Sequence, residues 1–268
     1  MEEKTFKLWE NGAPLFNPDF GQEPSITFYP CIGSDNTRGS VIVIPGGGYS
    51  GRCEDHEGIQ IVRRLHEDGF HAFILHYRCT PYCYPAIMYD VQRAVRFVRY
   101  NFNSLGINPD KIATLGFSAG GNLATLSCEQ FDYGKEDGDE IDRVSCRPDA
   151  AVLCYAVISL YGHTHNGTRD NLLRGYEGEE REGLIKKLSG ETAVREDMPP
   201  VFFWHNFTDE AVNVLNPLLM AAEMKKKELP FEMHVYPHGW HGMGLAVNDP
   251  VVSRWTVDCA AWLRGLGF

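Results

Sequence analysis

The sequence predicts an α/β fold in which one mostly parallel sheet is covered by helices on both faces. Short apolar runs typical of buried strands alternate with stretches whose apolar residues recur at steps of three and four, as on one face of a helix. The composition agrees, because 43% of the 268 residues are hydrophobic and 23% are charged, the balance of a globular domain with a large core. A single domain over residues 1–268 is therefore expected.

The elements follow in chain order after an N-terminal arm. Residues 1–24 are interpreted as an irregular arm with apolar anchors at Phe6, Leu8 and Trp9. Residues 25–29 alternate apolar and polar side chains, which is typical of an edge strand. Buried strands are predicted at residues 40–44, 72–76, 111–116, 150–159, 201–205 and 231–236. Helices are predicted at residues 58–67, 85–100, 119–128, 214–226 and 250–263.

One segment, residues 161–198, breaks this alternation. It is polar, rich in Gly, Glu and Arg, and has a helical pattern near residues 182–188. Two interpretations stay open for it. The segment is either a cap-like insertion that helps to wall a substrate site at the sheet edge, or a solvated surface insertion.

The net charge and the short apolar runs limit which partners and which cellular location are expected. The formal net charge is −11, and nucleic acids and anionic membranes attract basic faces, so neither is expected to bind. No apolar run reaches the roughly 18 residues of a spanning helix, and no signal-peptide pattern opens the chain, so we expect a cytoplasmic location. The eight cysteines form no C-x-x-C pair, which favours free thiols over disulfides or a zinc site.

The segment Gly116-Phe117-Ser118-Ala119-Gly120 matches the G-x-S-x-G pattern of a nucleophile elbow. A predicted strand leads into it and a helix of small residues leads out, which is the context that the pattern requires. Glycine is needed two positions to either side, because larger side chains would collide in so sharp a turn. The helix N-terminus then faces the developing negative charge. Ser118 is therefore the predicted nucleophile of an α/β-hydrolase fold.

A glycine run, Pro45-Gly46-Gly47-Gly48-Tyr49, follows the first buried strand. Glycines let the backbone approach a substrate oxygen closely, and a tetrahedral intermediate needs two or three N–H donors. Gly47, Gly48 and Ala119 are the candidate oxyanion donors, and Tyr49 is a candidate for substrate contact or loop support. A phosphate-binding loop is the alternative, but the run has neither the Lys-Ser/Thr of a P-loop nor the pattern G-x-G-x-x-G.

A serine nucleophile needs a base, and the base needs an acid that orients it. In this fold the chain order is serine, acid, histidine, with each partner just past a late strand. Asp209 follows the strand at 201–205, and Glu210 is the alternative acid. His241 follows the strand at 231–236, and His238 is the alternative base.

Two further polar features, Glu57 and a pair of histidines, are candidates for a role at the site. Glu57 closely follows the glycine run, where it either supports the loop, binds a sugar hydroxyl or simply favours a helix start. His163 and His165 form an H-x-H pair, but no third ligand stands at a suitable spacing, so no metal is expected.

Together the motifs resemble one family, the α/β-hydrolase esterases grouped with acetylxylan esterases and feruloyl-esterase-like enzymes, also labelled xylanase-B-like sugar hydrolases. The resemblance covers residues 30–265 and rests on PGGGY, HEG, YR, YP, GFSAGGNLA, RPDAAVLCY, PPVFFWH and HGWHGMGLA. It implies an esterase without a cofactor that removes acetyl groups from hemicellulose-derived sugars. By position it implies a triad of Ser118, Asp209 and His241 and oxyanion donors at Gly47, Gly48 and Ala119.

The chain departs from the family pattern around the acid. Asn206, Thr208 and Asn213 stand where the family has Thr, Asp and Pro, and Ala156 replaces a proline. These changes bear on substrate preference more than on catalysis.

The predicted function is hydrolysis of a small-molecule ester, an acetylated sugar or xylo-oligosaccharide, through an acyl-enzyme. The alternatives are a general small-acyl carboxylesterase, a peptidase-like hydrolase of the same fold, and a non-catalytic binding protein on this scaffold. The sequence leaves open whether the chain forms a homo-oligomer.

Overall fold

Eight strands form one sheet in the described part of the chain, which comprises residues 3–31, 33 and 38–268 of a computed structural model. The strands are β1 (Lys4–Lys7), β2 (Ser25–Tyr29), β3 (Ser40–Ile44), β4 (His71–His76), β5 (Ile112–Phe117), β6 (Ala150–Cys154), β7 (Val201–Asn206) and β8 (Phe231–Tyr236). Across the sheet they run in the order β1-β2-β4-β3-β5-β6-β7-β8. The pairs from β4 to β8 are parallel, and β2 pairs antiparallel with both β1 and β4.

Helices cover both faces of the sheet. They are α1 (Gln60–Glu67), α2 (Ala86–Tyr100), α3 (Phe102–Leu105), α4 (Ser118–Glu129), α5 (Asn166–Leu172), α6 (Gly178–Lys187), α7 (Gly190–Ala193), α8 (Leu215–Lys226) and α9 (Trp255–Gly265). Apolar side chains of α1 and α9 pack on one face, and those of α2, α4 and α8 pack on the other. The predicted α/β architecture is confirmed. Among the described residues, no helix combines the length and apolar character that crossing a bilayer requires.

The arm contains a strand that the sequence pattern did not predict. Because β1 pairs on the outer side of β2, the prediction that residues 25–29 form the sheet edge is wrong. β1 has the sequence KTFK, and its Phe6 is only partly buried, against Phe97 with ring centroids 5.3 Å apart. One apolar residue among polar ones gives no period to detect. Met1 and Glu2, at the start of the predicted arm, lie outside the described residues.

Strand β6 ends at Cys154, five residues before the predicted end at 159. Tyr155 has a φ of 35°, which takes the chain out of the extended conformation. The N–H of Val157 then donates to the carbonyl of Ser118 at 3.1 Å, so the chain crosses the turn that contains the predicted nucleophile. Residues 156–160 remain buried there, which is why the apolar pattern continues beyond the strand.

Segment 161–198 contains α5, α6 and α7 rather than one short helix. Helix α6 begins at Gly178, four residues before the predicted helical piece. Four leucine and isoleucine side chains of the segment are buried in the larger core cluster: Leu172, Leu173, Ile185 and Leu188. The segment is therefore packed on the domain rather than only solvated.

The strand order reverses between β3 and β5. β3 leads through α1 to β4 on one side, whereas β5 leads through α4 to β6 on the other. Loops at such a point diverge and leave a crevice at the C-terminal strand ends, which is the usual ligand position in α/β sheets. This crevice brings the glycine run after β3 beside Ser118 after β5.

Candidate active site

Ser118 lies in the sharp turn between β5 and α4. Its φ of 52° is in the left-handed region, which is uncommon for a residue with a side chain. A Cβ on Gly116 would lie 2.2 Å from the carbonyl oxygen of Gly120, and a Cβ on Gly120 would lie 2.1 Å from that of Ile44. The turn therefore requires glycine at both positions, as the elbow pattern predicted.

The side chains of Ser118, His241 and Asp209 form one hydrogen-bonded chain. His241 Nε2 lies 2.8 Å from Ser118 Oγ, and His241 Nδ1 lies 2.8 Å from Asp209 Oδ2. The three residues follow β5, β8 and β7, whose C-terminal ends face the same crevice. With Nδ1–H donated to the carboxylate, Nε2 can accept the serine proton. The structure thus brings together the three residues that the sequence selected.

Backbone contacts hold Asp209 as an ionised hydrogen-bond acceptor. Its Oδ1 accepts hydrogen bonds from the N–H groups of Ala211 and Val212, at 3.0 Å and 2.9 Å. Burial raises the pKa of the Asp209 carboxyl, but the hydrogen bonds from His241 and from the Val212 N–H outweigh burial, and the net pKa is lowered. A buried carboxylate held in this way fixes both the orientation and the tautomer of the histidine.

The alternative acid and base lie elsewhere. Glu210 is exposed and forms no hydrogen bond with His241 or His238 among the described residues. His238 Nε2 lies 3.1 Å from Asp249 Oδ2 and is more than half exposed. Neither side chain joins the chain of contacts at Ser118.

The glycine run lies against the nucleophile turn. A Cβ on Gly46 would come within 3.0 Å of Ser118 Cβ, and Gly47 and Gly48 have φ values of 135° and 62°, which favour glycine. Within the described chain, the N–H groups of Gly47 and Gly48 donate to no other residue. The N–H of Ala119, in the first turn of α4, has no intrahelical acceptor. No acceptor within the described chain therefore takes up these three N–H groups.

A buried hydrogen-bond network joins the glycine run to the histidine loop. Glu57 Oε2 accepts from the Gly46 N–H at 2.8 Å, and Glu57 Oε1 accepts from the Tyr155 hydroxyl at 2.7 Å. That hydroxyl accepts from the Gly244 N–H at 3.0 Å, and the Tyr155 ring packs edge-on to His241 with centroids 5.0 Å apart. Both oxygens of buried Glu57 are thus occupied, which fits loop support better than contact with a sugar hydroxyl.

Sequence reasoning did not single out Tyr155. It stood inside the predicted strand at 150–159, where a tyrosine in an apolar run resembles an ordinary core residue. The available signal was the motif RPDAAVLCY, which ends on this tyrosine. Its backbone conformation and its contact with His241 appear only in three dimensions.

The buried side chain of Tyr49 connects the end of the glycine run to α4. Its side chain is fully buried, and its hydroxyl donates to Asn122 Oδ1 in α4 at 2.8 Å. The hydroxyl of Tyr77 donates to the carbonyl of Pro45 at 2.7 Å and holds the other end of the run. These contacts favour loop support over substrate contact as the role of Tyr49.

Two residues of segment 161–198 reach the site. Asn171 Nδ2 donates to the carbonyl of Gly48 at 2.8 Å. His165 lies at the start of α5, where its Nδ1 accepts from the Thr168 N–H. Burial lowers the pKa of His165, and the charge of nearby His241 lowers it further. Contact with the glycine run and proximity to His241 favour the interpretation of this segment as a wall of the site.

One group of described residues brings three metal-ligand atoms within 4.8 Å of one another: Cys53, His56 and Glu57. Both oxygens of Glu57 already accept hydrogen bonds from the protein. A metal ion would therefore compete with the bonds that hold the glycine run. His163 and His165 belong to no such group in the described part of the chain.

The chain is similar to known proteins over most of its length. A model of the BD-FAE family matches residues 28–224. The chain is 32% identical over 253 residues to endo-1,4-beta-xylanase B of Butyrivibrio fibrisolvens and 29% identical over 252 residues to an acetylxylan esterase of Xylanibacter ruminicola. These alignments cover 93% and 92% of this chain but 39% and 49% of the relatives. The chain thus spans less than half the length of these two curated relatives.

Solved structures give the same fold. The acetyl ester-xyloside bifunctional hydrolase from Caldicellulosiruptor lactoaceticus matches with a TM-score of 0.94 and 42% identity, over 99% of this chain and 97% of that one. The α/β hydrolase MGS-M1, from a deep-sea metagenome library, matches with a TM-score of 0.72 and 24% identity, over 99% and 98% of the two chains. The second likeness shows the fold alone. The predicted α/β-hydrolase fold is therefore confirmed.

Proposed function

Since the chain belongs to the BD-FAE family, we propose that it is a serine ester hydrolase that removes acetyl groups from acetylated sugars. The observation that carries the proposal is the hydrogen-bonded chain from Ser118 through His241 to Asp209. The sugar substrate is supported by the relatives, one named an acetylxylan esterase and one an acetyl ester-xyloside hydrolase.

In the first half-reaction His241 Nε2 takes the proton of Ser118 while Oγ attacks the ester carbonyl carbon. The carbonyl oxygen gains negative charge, and the N–H groups of Gly47, Gly48 and Ala119 are proposed to hold it. Loss of one such donor costs about 3–4 kcal/mol of transition-state stabilisation. His241 then gives its proton to the leaving alcohol as the bond between the carbonyl carbon and that oxygen breaks.

In the second half-reaction water takes the place of the alcohol. His241 removes a proton from the water as it attacks the acyl-enzyme carbonyl, and the same histidine returns the proton to Ser118 as acetate leaves. The buried Asp209 carboxylate stabilises the imidazolium in both halves.

Hydrolysis of p-nitrophenyl acetate tests the nucleophile. Ser118→Ala is expected to lower kcat by about 10³-fold or more, because the acyl-enzyme cannot form. Ser104→Ala, which changes an exposed serine in α3, is the matched control and is expected to keep the wild-type rate. Equal rates for wild type and Ser118→Ala would contradict the proposal.

A substrate panel tests the proposed sugar ester against the alternatives. The panel contains an acetylated xylotriose, simple esters of increasing acyl length and an aminoacyl amide. The acetylated sugar is expected to have the highest kcat/KM. A preference for longer acyl chains would instead indicate a general carboxylesterase, and cleavage of the amide would indicate a peptidase-like enzyme.

A further inference from the structure

A groove with one prominent aromatic side chain opens beside His241. Its volume is about 580 Å³, and it lies between the loop after β7 and the loop after β8. Its lining residues are Thr208, Glu210, Ala211, His238, Gly239, Trp240 and His241. Such a volume falls within the roughly 300–1,000 Å³ of small-molecule sites. We propose that this groove binds a sugar ring of the leaving alcohol, with Trp240 as its stacking platform. The inference rests on the proposed esterase function and assigns the alcohol side of that same site.

The position of the groove follows from the chemistry. His241 protonates the leaving oxygen, so that oxygen must come within hydrogen-bond reach of His241 Nε2. The carbonyl oxygen lies on the opposite side, toward the N–H groups of Gly47 and Gly48. The alcohol part of the ester therefore extends away from the glycine run and past the histidine. The groove begins at this histidine and continues along the residues before it.

Trp240 is exposed on a backbone that is held in place. Trp240 is 64% exposed, although tryptophan side chains usually bury most of their apolar surface. The Trp240 carbonyl accepts from Asn206 Nδ2 at 3.1 Å. On the preceding residue, Gly239, the N–H donates to Thr208 Oγ1 and the carbonyl accepts from the same hydroxyl, at 3.0 Å and 2.8 Å. Hydrogen bonds thus hold the loop that exposes Trp240. Less conformational entropy is therefore lost when a ligand binds.

The chemistry of the groove suits a sugar better than a purely apolar alcohol. The face of a pyranose ring presents C–H groups that can lie on an indole, and its edge presents hydroxyls. His238 pairs with Asp249 through Nε2, and its Nδ1 forms no hydrogen bond with the described residues. His238 lines the groove, so its imidazole can offer a polar group to a sugar hydroxyl.

Two polar residues at and just after the end of β7 shape the wall of the groove. The side chains of Asn206 and Thr208 hold Trp240 and Gly239. They leave the contact between Asp209 and His241 intact.

Kinetics on matched esters test the proposal. Trp240→Ala is expected to raise KM for an acetylated xylotriose about tenfold and to leave kcat/KM for ethyl acetate within about twofold, because ethanol is too small to reach the platform. Trp240→Phe keeps an aromatic face and is expected to stay within about threefold of wild type on the sugar ester. Tyr133→Ala is the matched control, because Tyr133 is also 64% exposed but lies outside the groove.

Direct binding separates the groove from the reaction. In a Ser118→Ala background, titration with unacetylated xylotriose is expected to perturb the Trp240 indole resonance in a tryptophan-side-chain NMR spectrum, and the Kd is expected to rise about tenfold in the Ser118→Ala, Trp240→Ala variant. This measurement needs no turnover. Absence of xylotriose binding would contradict the groove proposal even if the enzyme hydrolyses esters. Binding would support the groove proposal even if the proposed esterase activity were absent.

Three results would overturn the proposal. One is an unchanged KM for the acetylated xylotriose in Trp240→Ala. Another is an equal loss of kcat/KM for ethyl acetate and for the acetylated xylotriose. That result would mean that the substitution acts through His241 rather than through contact with the sugar. The third is a rise in KM of Trp240→Ala for phenyl acetate but not for the acetylated xylotriose, which would assign the groove to aryl alcohols.

Discussion

At the residue scale, Tyr155 links the two loops on which the site depends. Its hydroxyl bridges Glu57, which holds the glycine run, and Gly244, which follows His241. Tyr155→Phe removes both contacts and leaves a buried carboxylate oxygen without its donor. We expect the free energy of unfolding to fall by about 1–3 kcal/mol. We also expect kcat to fall about tenfold with little change in KM, because the loops lose their mutual alignment.

Tyr236→Phe is the matched control for that substitution. Tyr236 is also buried against the same aromatic cluster, and its hydroxyl has no hydrogen-bond partner among the described residues. Removing it should leave kcat unchanged and the melting temperature equal or higher. Urea unfolding and steady-state kinetics on one small ester compare the two variants. Similar losses in both would mean that the Tyr155 hydroxyl has no particular role.

Asp209 is predicted to act by orienting the base. Asp209→Asn preserves the shape of the side chain but favours the wrong histidine tautomer, so kcat on a small ester should fall by about 10³–10⁴-fold with the fold intact. Glu210→Gln tests the neighbouring carboxylate, which is exposed and does not contact His241. We expect it to stay within about threefold of wild type. The reverse order of losses would reassign the acid to Glu210.

The net pKa of Asp209 is lowered, which fixes the sign of its effect on stability. A carboxyl group with a lowered folded pKa stabilises the fold above its unfolded pKa, and this contribution disappears as the pH falls through the folded value. The free energy of unfolding of Asp209→Asn should therefore fall less between neutral and acid pH than that of wild type. Unfolding curves at neutral and acid pH measure that difference.

Residue-level prediction from sequence was possible where chemistry and chain order constrain the choice. Ser118, Asp209 and His241 each follow a predicted strand in the order that the elbow motif requires, so few candidates competed. Tyr155 had no such constraint. Its role depends on a left-handed backbone conformation and on partners about 90 residues away in the chain, and neither leaves a periodic signal.

At the element scale, the elbow depends on close contact between backbones. A Cβ on Gly120 would lie 2.1 Å and 2.5 Å from the carbonyl oxygens of Ile44 and Pro45. Gly120→Ala must therefore push α4 away from β3, and we expect a loss of about 3 kcal/mol of unfolding free energy or more. Activity should fall with it, because the same turn carries Ser118. Chemical unfolding measures the effect.

Gly183→Ala is the opposite case in another helix. Gly183 lies in α6, it is exposed, and an added Cβ would meet no atom within 4 Å. We expect a gain of about 0.5–1 kcal/mol, because alanine restricts the unfolded chain and favours the helix. A loss in Gly183→Ala, or no loss in Gly120→Ala, would contradict this account of which glycines are required.

Elements were predictable where one pattern spans the whole element. The strands at Ser40–Ile44 and Phe231–Tyr236 have the predicted bounds. The end of β6 was not predictable, because burial continues beyond it while the backbone leaves the sheet. β1 was missed because a short strand that contacts the core through one partly buried phenylalanine has no repeated apolar period.

At the scale of the whole molecule, a buried carboxyl outside the site should make stability depend on pH. Glu129, at the end of α4, is buried, and neither of its oxygens has a hydrogen-bond partner in the described structure. Burial raises the pKa of Glu129 well above its usual 4.5, and the nearby charge of Glu191 raises it further. Folding therefore takes up a proton, so this group lowers stability progressively as the pH rises above 4.5.

Glu129→Gln removes that proton uptake. The free energy of unfolding of the variant, relative to wild type, should increase by about 1.4 kcal/mol per pH unit above the unfolded pKa and be constant below it. Glu182→Gln, an exposed glutamate in α6, is the control and should show no such slope. Urea unfolding from pH 4 to about pH 7 measures the slopes. Parallel curves for Glu129→Gln and wild type would mean that Glu129 is ionised in the fold.

The arrangement of the whole domain followed from the alternation of strands and helices, since parallel strands and short connections leave few topologies. The placement of segment 161–198 did not follow. Its polar surface covers five buried aliphatic side chains, Leu172, Leu173, Ile185, Leu188 and Val194. The contact between Asn171 and Gly48 joins residues 123 positions apart. No local pattern encodes a contact over that distance.

The central claim is that His241, oriented by Asp209, activates the Ser118 hydroxyl. The most direct measurement is the rate at which a fluorophosphonate reacts with the protein, with the modified residue located by mass spectrometry. One equivalent of label on Ser118 is expected, and the rate should fall by about 10³-fold or more in His241→Ala. Label on another residue, no label, or an equal rate in wild type and His241→Ala would contradict the account.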